Sequence, residues 1–215
     1  MRKLPRRKEA RIRGPAGELE ALVELPAEAE PTGFGVACHP HPLHGGTMEN
    51  KVVHTLCRSF TELGRAAVRF NFRGAGTSEG VYDEGRGETD DALAAVAWAR
   101  DQFGGDAWLA GFSFGAAVAL HAAAREAPAR LITVAPPVGR LPVATETQPD
   151  CPWLIVQGAD DELVDADAVV AWVNELAPGP ELLLLPGVDH FFHGKLTVLR
   201  EQLLDWLRSG GADQD

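Results

Sequence analysis

Hydrophobic and polar positions follow two different rhythms along the chain. Seven short apolar runs have the length and residue content of buried strands. They span residues 19–25, 33–38, 66–72, 107–111, 131–135, 153–157 and 181–185. Five longer segments between them have helical spacing, at residues 49–63, 89–103, 114–125, 165–176 and 196–207. This alternation of strands and helices predicts an α/β fold.

The apolar runs indicate a mostly parallel central sheet with helices on both faces. Nearly continuous apolar strands are typical of a sheet that is covered on both sides. The segment 89–103 has the pattern of a covering helix, because Leu93, Val96, Ala97 and Arg100 recur at intervals of about one turn. Ligands bind such sheets beyond the carboxyl ends of the strands. Functional residues are therefore expected directly after each strand.

The composition is that of one folded domain. Of the 215 residues, 45% are hydrophobic and 24% are charged, which suffices for a sizeable core. The net charge is −11, but seven Lys and Arg and one Glu give residues 1–14 a charge of +6, which leaves −17 for the rest. So acidic a body repels phosphate backbones and argues against nucleic acid as a partner. We expect a solvated basic tail at residues 1–17 and a single domain at residues 18–215.

The sequence also predicts the compartment in which the chain resides. No window of 18 apolar residues is present, and no apolar stretch follows the basic residues, so neither a membrane span nor a signal peptide is expected. The three cysteines, Cys38, Cys57 and Cys151, are far apart and include no CxxC pair. This pattern is typical of reduced, buried thiols rather than of a disulfide framework. We therefore expect a cytoplasmic protein.

The clearest chemical motif is the sequence GFSFG at residues 111–115, between a predicted strand and a predicted helix. A serine at a sharp strand-to-helix turn has a strained backbone, and small residues two positions away on each side keep the turn free of clashes. The amino terminus of the following helix offers unpaired N–H groups to a developing negative charge. Ser113 is therefore the candidate nucleophile.

A serine hydroxyl needs a histidine to accept its proton and a carboxylate to orient that histidine. Two later strand ends carry such residues. The strand at 153–157 is followed by Asp160 and Asp161, and the strand at 181–185 is followed by His190 and His193. Spacing alone does not decide between the two neighbouring carboxylates. His193 is expected to lie on the surface or behind the site.

These motifs resemble those of the α/β-hydrolase superfamily, in particular its small lidless bacterial serine hydrolases. The resemblance covers nearly the whole chain after residue 17. It implies Ser113 as nucleophile, Asp161 as the orienting acid in a G-x-x-D-x-x-V run, and His190 as general base and acid in a G-x-x-H-x-F setting. Asp160 remains the alternative acid.

The resemblance also implies an oxyanion hole made of two backbone N–H groups. One is expected from Phe114, directly after the nucleophile. The other is expected from the loop at residues 39–46, HPHPLHGG, which has proline where the superfamily usually has glycine. Proline has no N–H group to donate. His41 is the candidate by position, and Leu43 is the alternative.

The same loop allows a competing hypothesis. His39, His41 and His44 have the spacing of the H-x-H-x-D-H zinc motif of metallo-hydrolases, although Leu43 replaces its aspartate. Three histidines are sufficient to hold one zinc ion. Histidines are also common in loops that pack beside an active site, and we predict neither a metal nor another cofactor.

Residues 73–78, RGAGTS, superficially resemble a dinucleotide-binding loop. Glu79 replaces the third glycine, and no acidic ribose partner follows at a strand end. We interpret the segment as a structural turn near the site. The acidic stretch at residues 83–91 is interpreted as a solvated loop and helix start. Tyr82, directly before it, or Glu84 within it can reach a substrate.

Together these features predict a single-domain serine hydrolase that cleaves small or medium acyl esters, or thioesters, through an acyl-enzyme on Ser113. The gap between residues 136 and 150 is too short for a helical lid, which predicts an open cleft without a cap domain. Its apolar walls are expected to include Leu43, Phe112, Phe114 and Phe191. The alternatives are an amidase or peptidase and a catalytically idle binding protein. The oligomeric state, monomer or homodimer, stays open.

Overall fold

The computed structural model describes residues 5–141 and 148–210, which form one eight-stranded sheet with the order β1-β2-β4-β3-β5-β6-β7-β8. The strands are β1 (Arg6–Gly14), β2 (Gly17–Leu25), β3 (Gly33–Cys38), β4 (Ala66–Phe70), β5 (Asp106–Phe112), β6 (Arg130–Val134), β7 (Trp153–Gly158) and β8 (Glu181–Leu185). The helices are α1 (Lys51–Glu62), α2 (Arg86–Phe103), α3 (Phe114–Glu126), α4 (Ala166–Asn174) and α5 (Leu196–Arg208).

The predicted mostly parallel sheet is confirmed. Strands β4, β3, β5, β6, β7 and β8 run parallel to one another, whereas β1 pairs with β2 and β2 with β4 in antiparallel orientation. The carboxyl ends of the six parallel strands therefore meet at one edge of the sheet.

Helices cover both faces of the sheet. The strand side chains divide between two cores with a period of two, since Leu109 of β5 belongs to one core and Trp108 and Ala110 to the other. Helices α2, α3 and α4 pack on the first face, and α1 and α5 on the second. This burial of both faces explains the continuous apolar strands.

The expected basic tail is wrong for most of its length, because residues 6–14 form the edge strand β1. The register places Arg7, Arg11 and Arg13 opposite Glu24, Glu20 and Glu18 of β2, respectively. These cross-strand pairs place the cations of the amino-terminal segment beside acids of the body. Residues 1–4 lie outside the described part.

The amino-terminal segment is also held by its turn into β2 and by a buried side chain. Gly14 pairs with Gly17 across the turn, and Gly17 has a φ of +128° that favours glycine. Ile12 is completely buried in the core, beside α2. The described segment is therefore part of the domain rather than a solvated extension.

The connection between β6 and β7 runs from Ala135 to Pro152. It contains no helix in its described residues, and residues 142–147 lie outside the described part. Because a cap domain requires a longer insertion, this fold has no lid over the carboxyl ends of the strands.

Candidate active site

Ser113 lies at the turn between β5 and α3 and has the strained backbone that the sequence predicts. Its φ is +54° and its ψ is −120°, which is uncommon for a residue other than glycine. A Cβ at Gly111 would collide with the carbonyl group of Gly115, and a Cβ at Gly115 would collide with the carbonyl groups of Cys38 and His39. Both glycines are therefore required for the turn to hold Ser113 above the sheet edge.

The structure brings the three predicted side chains together. The Nε2 atom of His190 lies 3.1 Å from the Oγ atom of Ser113, and its Nδ1 atom lies 2.8 Å from the Oδ2 atom of Asp161. Both distances are within hydrogen-bond range. Because Asp161 accepts the proton of Nδ1, Nε2 is left with its lone pair facing the serine hydroxyl. The arrangement can transfer a proton from serine to histidine.

Asp161 is held in place by several donors. Its Oδ1 atom accepts hydrogen bonds from the N–H groups of Leu163 and Val164 at 2.8 and 2.7 Å. Burial raises the pKa of Asp161, but the hydrogen bonds from His190 and from Val164 outweigh this effect and leave the pKa below its ordinary value. The carboxyl group is therefore ionised at neutral pH. Its side chain is fully buried, in contact with His190.

Asp160, the alternative acid, occupies a different environment. Its side chain is exposed to solvent, and its backbone N–H group donates to the carbonyl oxygen of Val188. Only Asp161 of the two neighbouring carboxylates contacts His190. His193 is exposed and lies 2.8 Å from Asp189, away from the serine.

The loop after β3 lies against the amino terminus of α3. Leu43 donates its N–H to the Nδ1 atom of His41 at 3.3 Å, and the Nε2 atom of His41 lies 3.1 Å from the hydroxyl of Tyr82. Within residues 5–141 and 148–210, the N–H groups of His41 and Phe114 have no hydrogen-bond acceptor. The pair predicted for the oxyanion hole is thus available to an oxyanion, whereas the N–H of Leu43 is already used.

His39 has a structural environment that differs from that of a metal ligand. It is completely buried, its Nδ1 donates to the carbonyl oxygen of Pro40 at 2.6 Å, and its Nε2 accepts from the N–H of Phe72 at 3.0 Å. Burial lowers its pKa to about 4. Both ring nitrogens are committed to the backbone, and no cluster of three or more potential ligands occurs in the described parts of the chain. The zinc hypothesis therefore lacks its first ligand.

A cleft of about 420 Å³ opens in front of Ser113 and His190. Its other lining residues are His41, His44, Phe114, Pro137, Arg140, Leu141, Leu163 and Val164. Of the predicted apolar walls, only Phe114 lines this cleft. Leu43 is 67% exposed and does not face it, and Phe191 lines a separate depression beside the amino terminus of α1.

The prediction that Phe112 forms a wall of the cleft is wrong. Phe112 is completely buried and lies in phase with Trp108 and Ala110 of β5, so its ring points into the core on the side of α1 and α5. There it packs under His190, with ring centroids 5.2 Å apart, and against Phe192. It supports the histidine from below.

A second cavity of about 500 Å³ adjoins the cleft and shares Phe114 and Leu141 with it. Tyr82 and Glu84 line this cavity, as the sequence allows, together with Gly85, Arg86, Ala117, Val118 and His121. The hydroxyl of Tyr82 reaches His41, so the residue both lines the cavity and steadies the loop after β3. The two cavities together offer room for two arms of a substrate.

The turn at residues 73–78 has the structural role that was expected. Arg73 forms a bidentate ion pair with the buried Asp91 of α2, at 2.7 and 3.0 Å. Ser78 donates to the carbonyl oxygen of Asn71, and Asn71 accepts from the N–H of Met48. These bonds join the turn to α2 and to the loop before α1.

Several residues of the site were missed by sequence reasoning. Gln157, at the end of β7, donates from Nε2 to the Oδ2 atom of Asp161 at 3.0 Å, and Glu162 accepts from the N–H of His190 at 3.2 Å. Their positions beside the acid are a usable sequence signal for supporting residues. Pro137, Arg140 and Leu141 enter the cleft from the turn after β6, for which the sequence contains no comparable signal.

The lidless parallel sheet and the Ser113, His190 and Asp161 geometry define an α/β serine hydrolase. The chain belongs to the family whose model is described as X-Pro dipeptidyl-peptidase (S15 family), which matches residues 16–147. It is also 32% identical over 205 residues to an uncharacterised protein of Rickettsia prowazekii, with 90% of this chain and 86% of that protein covered.

Solved structures support the same assignment. An α/β serine hydrolase homologue from Coxiella burnetii is 48% identical and superposes with a TM-score of 0.89 over 93% of this chain and 97% of that chain. An α/β serine hydrolase without lid from Xanthomonas campestris is 43% identical, with a TM-score of 0.91 and 97% of both chains covered.

In the described part of the present chain, no helix has the length and apolar content needed to cross a bilayer.

Proposed function

We propose that this serine hydrolase cleaves carboxylic esters with small or medium acyl groups through an acyl-enzyme on Ser113. The observation that carries the proposal is the contact of His190 with both Ser113 and the buried Asp161. Ser113 supplies the nucleophile and His190, oriented by Asp161, supplies the base and acid that ester cleavage requires. Thioesters of the same acids are cleaved by the same steps.

In the proposed reaction, the Oγ atom of Ser113 attacks the carbonyl carbon while Nε2 of His190 accepts the hydroxyl proton. The N–H groups of Phe114 and His41 stabilise the tetrahedral oxyanion. Collapse of this intermediate breaks the bond to the alcohol, which leaves with the proton from His190. Water then attacks the acyl-enzyme with His190 as the base, which releases the acid and restores the serine.

The dimensions of the site support acyl groups of limited length. The cleft of about 420 Å³ and the adjoining cavity of about 500 Å³ are of the size that small-molecule sites have. Nothing in the described connection between β6 and β7 covers a long chain. Activity across a series of p-nitrophenyl esters should peak at short or medium length, and a maximum above about twelve carbons contradicts the proposal.

Hydrolysis of p-nitrophenyl acetate tests the reaction itself. We expect Ser113→Ala to lower kcat/KM by about 10³-fold or more, since the nucleophile is lost. Equal turnover by the folded variant and the wild-type protein contradicts the proposal.

The three cysteines are free, which supports a cytoplasmic location. A small-molecule ester is the proposed partner.

The family match motivates a second candidate, a peptidase that acts on a free amino terminus. Recognition of a terminal ammonium group calls for an available carboxylate. The described lining of the cleft includes no Asp or Glu, and Glu84 of the adjoining cavity is already paired with Arg86 at 3.7 Å. We therefore rank it second. Release of p-nitroaniline from an Ala-Pro anilide faster than release of p-nitrophenol from a matched ester would reverse this order.

A further inference from the structure

The charge at the mouth of the site is opposite to that of the whole protein. The chain carries a net charge of −11, but its cleft contains the guanidinium of Arg140 and no carboxylate among its described lining residues. Asp161 and Glu162 are turned to His190, one at its ring and one at its N–H group. Glu84, in the adjoining cavity, is paired with Arg86 at 3.7 Å. A substrate in the cleft thus meets a cation and no facing acid.

Arg140 is placed to meet a ligand. It follows β6 in a turn in which its N–H donates to the carbonyl oxygen of Pro137 at 3.0 Å, so its backbone is fixed while its side chain is exposed. Within residues 5–141 and 148–210, its guanidinium forms no ion pair. Guanidinium groups match the two oxygens of a carboxylate in a fixed, bidentate geometry.

We propose that Arg140 binds a carboxylate on the substrate, so that the preferred esters carry a negative charge on one of their two arms. This inference rests on the proposed esterase function and adds its substrate class. Arg140 is then a specificity-determining residue rather than a member of the proton-transfer set.

A monoanion fits the cleft better than a phosphate dianion. Burial, and then the neighbouring His44, lower the pKa of His41, which therefore adds no charge at neutral pH. Arg140 supplies the single permanent positive charge of the described lining. One guanidinium balances one carboxylate, whereas phosphate sites commonly combine several donors.

Two matched substrate pairs test the proposal. In the first, para-acetoxybenzoate and para-acetoxybenzamide place the charged or neutral group on the alcohol arm. In the second, the monophenyl ester of adipic acid and the phenyl ester of adipamic acid place it on the acyl arm. We expect kcat/KM to favour the anion by about tenfold in one of the pairs, and the preference to fall as salt is raised from about 0.05 to 0.5 M.

The decisive variant is Arg140→Gln, which should lower kcat/KM for the preferred anion by about tenfold and change that for its neutral partner by less than about twofold. Arg140→Lys should retain part of the preference, because it keeps the charge but not the planar fork. Arg125→Gln is the matched control, since this exposed arginine lies at the far end of α3, about 18 Å from Ser113 by helix length. It should leave both pairs unchanged.

The outcomes separate this proposal from the proposed function. Equal kcat/KM for anion and neutral partner in both pairs, or an equal loss for both in Arg140→Gln, overturns the role of Arg140 while leaving the esterase intact. If the wild-type protein hydrolyses none of the four esters, the proposed function fails. Binding of para-methoxybenzoate, followed by NMR in wild-type and Arg140→Gln protein, then still decides whether Arg140 holds a carboxylate: equal affinities overturn it.

Discussion

The Nε2 atom of His190 lies 3.1 Å from the Oγ atom of Ser113, although the two residues are 77 positions apart in the chain. Ser113 follows β5 and His190 follows β8, and Asp161 follows β7 between them. The parallel order β5-β6-β7-β8 brings these three strand ends to one edge of the sheet. The geometry of the site is therefore a consequence of the sheet topology rather than of local sequence.

Replacement of the buried carboxylate should disable the histidine. An amide at position 161 no longer holds the imidazole of His190 in the tautomer that accepts the serine proton. We expect Asp161→Asn to lower kcat for p-nitrophenyl acetate by about 10³-fold. Asp160→Asn, one residue away and exposed, is the matched control and should change kcat by less than about twofold. Comparable losses in the two variants would show that the acid has been assigned wrongly.

Gly115 provides a test in which helix propensity and packing predict opposite signs. Alanine is favoured over glycine inside a helix by about 1 kcal/mol, but a Cβ here collides with the carbonyl groups of Cys38 and His39. We expect Gly115→Ala to lower the free energy of unfolding by about 2 kcal/mol in urea denaturation. Gly179→Ala should cost less, because the nearest atom to its Cβ, the carbonyl oxygen of Leu176, is 3.3 Å away and requires a shift of only a few tenths of an ångström. A stabilised Gly115→Ala protein contradicts the packing argument.

His39 should make the protein sensitive to acid. Its pKa of about 4 in the folded protein lies below the value of 6.5 in an unfolded chain, so the unfolded state binds a proton that the folded state does not. This contribution to stability is present above pH 6.5 and is lost as the pH falls towards 4. Between about pH 6.5 and 4.5 the loss amounts to about 2 kcal/mol.

The matched experiment compares urea denaturation of the wild-type protein and His39→Gln across this range. The variant should lose less stability than the wild type as the pH falls, because glutamine does not titrate. Other groups, among them Asp161, contribute equally to both proteins and cancel in the comparison. Parallel stability curves for the two proteins would exclude a buried neutral His39.

The edge strand β1 should contribute to stability. Ile12 is completely buried, and truncation of a buried isoleucine typically costs about 2–4 kcal/mol. We expect Ile12→Ala to lower the free energy of unfolding by that amount and Arg13→Ala, its exposed neighbour, by less than about 1 kcal/mol. If Ile12→Ala is as stable as the wild type, the amino-terminal segment behaves as the solvated tail that the sequence first suggested.

The parts of the fold that could be predicted from sequence are those with a strong period. The strands at 33–38 and 181–185 match β3 and β8 at both ends, and α3 begins at the predicted residue. Strand β1 was missed because Ile12 is its only buried side chain and stands between the exposed Arg11 and Arg13. A single apolar position among charged residues does not show the period of two that identifies a strand. Its acidic partners lie in β2, and that pairing depends on the turn at residues 14–17.

The residues of the candidate site likewise fall into those that the sequence predicts and those that it does not. Ser113, Asp161 and His190 follow strands, so the topology of a parallel sheet alone predicts that they are neighbours. The walls of the cleft depend on where side chains point after a turn. The side chain of Phe112 lies on the face of β5 that α1 and α5 cover, so it points into the core and not into the cleft. Arg140 lines the cleft from a turn whose conformation has no sequence signature.

Labelling with a fluorophosphonate probe tests the central claim most directly, because such a probe reacts only with an activated serine. At about pH 8, we expect the folded wild-type protein to take up one probe per chain on Ser113 and Ser113→Ala to take up none. His190→Gln should label far more slowly, since its amide does not accept the hydroxyl proton. Folded wild-type protein that remains unlabelled, or a Ser113→Ala protein that labels as fast as the wild type, would contradict the assignment of Ser113 as the nucleophile.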